Sequence, residues 1–153
     1  MSWKRLLAQG EVKAHRTSKQ EIDNLRALIA RDMADASLPG LSADRQFATA
    51  YNAALQSGKI AIACSGYRVT ARAGHHAATF EAAHLALGAE ARLFTDYFDA
   101  CRRKRNLTDY DNSSVATETE AAELVGKAGE FHALVEKWVA ANYAALAPDQ
   151  LPG

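Results

Sequence analysis

The sequence predicts an all-α fold: an up-and-down bundle of four to five main helices with a short helix ahead of it. Three observations carry this expectation. Proline occurs three times in 153 residues, twice within the last six, so long stretches are free to be helical. Alanine is abundant and runs of β-branched residues are nearly absent, a composition that favours helix over strand. Apolar residues recur at spacings of three and four, which lines them along one side of a helix.

Taken in order, a short helix is expected at about Ser2 to Gln9. "SKQE" at Ser18 to Glu21 has the form of a capping box, in which a Ser side chain and a Glu side chain satisfy each other's backbone N–H groups. Ile22, Leu25, Ile29 and Met33 follow as one stripe, and "LPG" at 38–40 stops it. A third helix is expected from about Ser42 to Ser65. Phe47, Tyr51, Ala54 and Leu55 form its face, and Gly58 softens its middle. Gly66 and "TARAG" interrupt the pattern. A fourth helix carries His76, Phe80, Ala83, His84 and Leu87. Gly88 separates it from a fifth, about Ala89 to Asn106. "TETE" at Thr117 to Glu120 is a second capping box and opens a long last helix with Leu124, Phe131, Leu134, Val135, Trp138 and Val139. Short connections between amphipathic helices favour antiparallel neighbours. The expected organisation is a short helix and connection over 1–17, the bundle over 18–146, and a frayed tail over 147–153.

Composition narrows the function classes. Lys plus Arg and Asp plus Glu number 18 each, for a formal net charge of zero. A dedicated duplex-DNA binder would be basic overall. No apolar run is long enough to span a bilayer, and "MSWKRLLAQGEVK" lacks a signal-peptide core, so the expected location is the cytoplasm with no membrane partner. Cys64 and Cys101 have no metal-type spacing and read as small buried hydrophobes in a reducing compartment. No metal and no cofactor is expected.

Two segments concentrate unusual chemistry. In "CRRKRNLTDYD", Cys101 to Asp111, four cations precede an Asn and two acids that flank a tyrosine. Cations at a helix C-terminus are favoured by the helix dipole, each by roughly 0.3–1 kcal/mol, and need no further purpose. The helical angle distinguishes among them. Leu93, Phe94, Tyr97, Phe98 and Cys101 cluster on one side. Arg103 points away, Arg102 and Lys104 flank, and Arg105 continues the apolar stripe. An inward Arg needs an anion: Asp109 or Asp111 as an ion-pair partner, or a phosphate held in a bidentate grip. The second segment is "GYRVTARAGHH", Gly66 to His76, with Tyr67, Arg68, Arg72, His75 and His76. It reads either as a solvated loop whose histidines cap and pack, or as part of a site. His15 and His132 are isolated.

Together these segments resemble the HEPN superfamily of small helical proteins, over about Gln20 to Val139. The resemblance lies in order and spacing. An alanine-rich helix, "FATAYNAALQSGKIAIACSGYR", ends in a Gly-aromatic loop. The pair His75–His76 then opens a helix with Phe80 downstream. An acidic-aromatic helix ends in Arg105, three residues, and "DYD". The resemblance implies a four- or five-helix bundle that forms homodimers and acts as a metal-independent ribonuclease in toxin–antitoxin or defence systems, or partners a nucleotidyltransferase. The family motif is an Arg, often followed by Asn, with a His four to six residues beyond. Arg105 and Asn106 match it, whereas positions 110 to 112 are Tyr, Asp and Asn.

The leading expectation is therefore a module that binds a nucleotide or RNA, or docks a nucleotidyltransferase or antitoxin protein. Arg105, Asn106, Arg102, Tyr67 and Arg68 are its binding candidates, and Asp109 and Asp111 its pairing carboxylates. The alternatives are a ribonuclease using Arg105, Tyr110, His75 and His76, and a non-catalytic helical scaffold. Metal-free RNA cleavage needs a base, an acid and cations for the phosphate. Histidine suits the proton transfers near neutral pH, whereas an unshifted tyrosine with a pKa of about 10 does not.

Overall fold

The computed structural model describes residues 2–71, 75–111 and 116–150, and for 105–111 the backbone alone. The expected all-α helical bundle is the fold found. In chain order the elements are α1 (Trp3–Ala8), β1 (Val12–Ala14), α2 (Lys19–Ala36), α3 (Ala43–Cys64), β2 (Tyr67–Val69), α4 (His75–Leu87), α5 (Arg92–Asp111) and α6 (Glu118–Asn142). Short 3-10 turns at Ala89–Ala91 and Ala144–Leu146 precede α5 and follow α6.

Capping explains most of the boundaries. Ser2, Ser18 and Ser42 are N-caps whose hydroxyls accept from Arg5, Glu21 and Arg45 backbone N–H groups. Thr117 and Glu120 form the expected reciprocal capping box at α6. At α2 only half of the expected box forms. The Glu21 carboxylate turns outward to Thr17 Oγ1 (2.8 Å) and His15 Nε2 (2.7 Å) and so anchors the preceding segment. Gly66 and Gly88 adopt φ of 94° and 90°, values that cost a glycine little and let the chain leave α3 and α4 sharply.

The central helix is α3, and its neighbours follow from side-chain contacts. Ala36 O accepts from Gln46 at one end of the α2–α3 pair, so these helices are antiparallel. Lys104 reaches Glu120, while Phe94 and Phe98 meet Phe131, so α5 and α6 are antiparallel too. The α3–α4 pair runs in one general direction. Tyr51 touches His76 and Phe80, and further along Gly58 faces Thr79 and Ala83. A Cβ built on Gly58 would sit 3.4 Å from Ala83 Cβ. Gly58 therefore does not soften α3, which runs unbroken; it lets α4 approach closely.

A two-stranded ribbon, not expected from the composition, makes the parallel arrangement possible. β1 and β2 pair antiparallel, Val12 with Val69 and Ala14 with Tyr67. Leu6 and Val12 are buried against Ile62 and Ala82 in a small second core. Three-residue strands carry too little pattern to be read from sequence.

The main core joins Ile22, Ile29, Phe47, Tyr51, Phe80, Phe98, Leu124, Phe131 and Val135. Phe98 lies at its aromatic centre, within 5.5 Å of Phe80 and 5.1 Å of Phe131 between ring centroids. Leu93, expected on the inward side of α5, is 84% exposed, and Thr95 is buried in its place. The helix starts two residues before Phe94, so Leu93 is in its first turn, on the solvent side.

One polar constellation crosses the core. Arg26 Nε and Nη2 grip Glu136 Oε2 and Oε1 at 2.7 and 3.0 Å, Nη1 holds Asp23 at 2.7 Å, and Nη2 also donates to Leu146 O at 2.6 Å. His132 Nε2 lies 3.3 Å from the same Glu136 carboxylate. The Glu136 side chain is 1% exposed and that of Arg26 is 12% exposed. Beyond the bundle, Asp149 pairs with Lys19 at 3.2 Å.

Burial works against the Glu136 anion, but His132 and Arg26 outweigh it and hold its pKa below the ordinary carboxylate value of 4.5. The stability this group contributes is therefore complete above about pH 4.5 and is lost as pH falls through the lowered native pKa. Arg26→Ala strands a buried carboxylate and should cost about 3–5 kcal/mol. Glu136→Gln should flatten the acid limb of a plot of melting temperature against pH. A wild-type acid limb no steeper than that of Glu136→Gln would refute this account.

Candidate functional site

The candidate residues are distributed by α3, α4 and α5. The antiparallel α4–α5 contact sets their levels: Phe80 meets Phe98, and Ala77 and Arg102 line the same groove. The start of α4 therefore lies beside α5 at the level of Arg102. His75 and His76 stand there with ring centroids 4.3 Å apart at 82°. Tyr51 Oη, from the buried face of α3, lies 3.3 Å from His76 Nδ1. That is a hydrogen bond whose direction follows the imidazole tautomer. A phenol on one ring nitrogen fixes the ring, as an acid–base histidine requires. Tyr51 was readable as a core residue, but a buried phenol must find a partner for its hydroxyl, and that need was the signal available for the contact.

The four-cation run resolves into pairs where its side chains are described. Asp99 takes two arginines: Arg102 Nε at 2.9 Å and Arg103 Nη2 at 2.9 Å. Lys104 Nζ bridges to Glu120 Oε2 at 2.6 Å, while Glu120 Oε1 completes the α6 capping box at 3.0 Å. Partial burial raises the Asp99 pKa, but Arg102 and Arg103 prevail and leave it below its ordinary value. The helix expected to end near Asn106 continues to Asp111. The cations thus sit inside α5, and the helix dipole, which acts over the last turn, does not account for them. Arg103 is the exposed member, as its helical angle predicts. The side chains of Arg105, Asn106, Asp109, Tyr110 and Asp111 lie outside the described residues, as does Arg72.

A groove of about 370 Å³ runs along α4 and α5 from Ala77 and Arg102 to His84 and Arg92. Its walls are of mixed charge, with Glu81, Asp96 and Asp99 facing Arg92 and Arg102. Burial, helped by Glu11 and Asp99, raises the Glu81 pKa. His84 Nδ1 is buried there and, among the described residues, has no hydrogen-bond partner. A phosphate entering this groove meets carboxylates as well as guanidinium groups. Arg102 can serve a phosphate only by sharing or leaving Asp99.

Tyr67 and Arg68 are not part of this end. They belong to β2, at the level of Ile62 on α3, with Tyr67 stacked on Trp3 at 4.3 Å and 8°. Eleven residues of α3 separate that level from Tyr51, about 16 Å along the helix. Arg68 and His75, though near in sequence, are therefore not brought together beside α5. Cys64 and Cys101 are buried free thiols, each with its pKa pushed up to about 11 by burial, which suits packing and not nucleophilic chemistry. Among the described residues, no cluster of His, Cys, Asp and Glu could hold a metal ion, and no helix is long and apolar enough to cross a membrane.

No model of a known protein family, no curated protein and no solved structure matches this chain.

The geometry separates scaffold from surface charge. Arg103→Ala removes one exposed ion pair and should change stability by no more than roughly 0.5 kcal/mol. Phe98→Ala empties the ring cluster that holds α4 against α5 and should cost about 3–5 kcal/mol. Denaturant titration of both variants checks the contrast, and equal effects would contradict it.

Proposed function

We propose that this chain is a HEPN-like helical module that binds a nucleotide or RNA, or docks a nucleotidyltransferase or antitoxin protein, or does both. Its working surface in this reading is the end of the α4–α5 pair. The supporting observation is that two chemically distinct features meet at one level: the His75–His76 start of α4, braced by Tyr51, and the cationic stretch of α5 beginning at Arg102. Arg105 and Asn106 supply the phosphate contacts, because a guanidinium offers two parallel N–H donors to phosphate oxygens. Arg102 is a secondary contact, limited by Asp99. The same reading carries a homodimer, in which a second copy completes the surface.

The Tyr51–His76 contact also favours a second reading, a metal-independent ribonuclease. There His75 or His76 moves the proton of the attacking hydroxyl, Arg105 stabilises the phosphorane charge, and Tyr110 assists.

Arg105→Ala is the deciding substitution. For a phosphate ligand, the fold survives while affinity for AMP or a short RNA falls about 10- to 100-fold, the worth of a charged hydrogen bond. Affinity of the wild type should also fall with added salt. A destabilised Arg105→Ala protein with unchanged affinity would instead make Arg105 a structural ion-pair partner and defeat the binding reading. Expression of the chain alone, with total RNA followed on gels, separates the two readings: degradation that His76→Ala abolishes belongs to the ribonuclease. Sedimentation at micromolar concentration should give a dimer, and a monomer would remove the shared surface.

A further inference from the structure

Apart from the α4–α5 groove, α2, α3 and the β-ribbon line a cleft of about 340 Å³. This lies at the small end of the range for ligand pockets. Its walls are mainly apolar: Leu25 and Leu28 from α2, Ile62 from α3, and Val69 with the Tyr67 ring from β2. Lys59 also lines it, half-buried on α3. Among the described residues Lys59 makes no hydrogen bond or ion pair.

An ammonium without a counter-ion in a mainly apolar cleft is costly, because desolvation is not offset by a partner. Burial alone lowers its pKa from the ordinary 10.5, and no carboxylate acts in the other direction. The other charges at the cleft nearly cancel. Glu21 is held by His15 and Thr17, and it feels the exposed Arg68 of β2. With Arg68 set against Glu21, one uncompensated positive charge remains, that of Lys59.

We infer that this cleft binds a small amphipathic monoanion, a carboxylate with a short aliphatic or aryl tail. The tail lies on Leu25, Leu28, Ile62 and Val69, and the carboxylate accepts from Lys59 Nζ. A phosphate dianion fits less well, since its second charge would face Glu21. The occupant satisfies two demands the cleft makes at once: apolar area to cover and one ammonium to neutralise.

The test is titration of the full chain with octanoate, followed by backbone amide chemical shifts. 1-Octanol, inorganic phosphate and AMP serve as comparison probes. Octanoate should move amides in α2, in α3 around Lys59 to Ala63, and in β2, while leaving those of Arg102 to Lys104 unmoved. 1-Octanol should bind about 10- to 100-fold more weakly, for want of a charged hydrogen bond. Lys59→Met keeps the length and removes the charge. It should lose octanoate affinity by the same factor while melting at the same or a higher temperature, since an unpaired charge has gone. Leu28→Asn should weaken octanoate and octanol alike. Octanoate binding weaker than about 1 mM overturns the inference. So does equal affinity for octanol, an unchanged affinity in Lys59→Met, or AMP shifting these amides while octanoate does not. None of these outcomes depends on the α4–α5 surface, so this inference and the nucleotide reading stand or fall separately.

Discussion

The bidentate contact between Arg26 and Glu136 is the constraint around which the rest of the bundle is arranged. It joins α2 to α6 across the core, and through Leu146 O it also fixes the chain that leaves α6. A buried pair of this kind adds little net stability compared with well-packed apolar side chains. Its effect is selective. Apolar stripes on α2 and α6 can slide past one another by a turn with modest loss, whereas a guanidinium and a carboxylate separated by a turn are both left uncompensated in the core. The pair therefore specifies one axial alignment of α2 and α6. Because α3 packs against both, that alignment propagates to α3, and from α3 to α4 through Gly58 and to the Tyr51–His76 contact.

How much of this was legible in the sequence depends on whether the information is local. The three serine N-caps, the Thr117–Glu120 box, the glycine at 88 and the stripe of α2 are all set by residues within one or two turns of each other, and each was readable. The misreadings have nonlocal causes. Glu21 has the position of a capping-box acid, but His15 and Thr17 compete for it successfully. Gly58 has the composition of a weak point, and only the approach of Ala83 from α4 shows why a glycine stands there. Leu93 has the right helical angle but stays in solvent in the first turn of α5.

The site divides along the same line. The helical angle of Arg103 predicted its exposure, because angle is a local property. The carboxylates that answer the four-cation run were harder to see. Asp99 lies three and four residues back on the same helix and was available to inspection, whereas Glu120 comes from another element and appears only once α5 and α6 are antiparallel. Tyr67 and Arg68 looked like neighbours of the histidines because they are close in sequence. The parallel course of α3 and α4 separates them, since β2 follows the end of α3 whereas His76, at the start of α4, stands at the level of Tyr51. Lys59 carried no signal at all in the sequence, because a lysine in a helix is unremarkable until both of its neighbouring elements are known.

The ribbon between β1 and β2 has a consequence for the order of events during synthesis. Among the described residues, Leu6 and Val12 cluster with Ile62 and Ala82, with Trp3, Tyr67, Val69 and Leu85 packed around them. A ribosome adding about 5–20 residues per second needs about 4–14 s to pass from residue 12 to residue 82. Throughout that interval the enclosure of these two residues is incomplete, because Ala82 has yet to be made. Leu6 and Val12 are thus made well before the surface that shelters them. Lys4, Arg5, Glu11 and Lys13, interspersed with those apolar positions, give the waiting segment charged side chains for water to solvate until the second strand arrives.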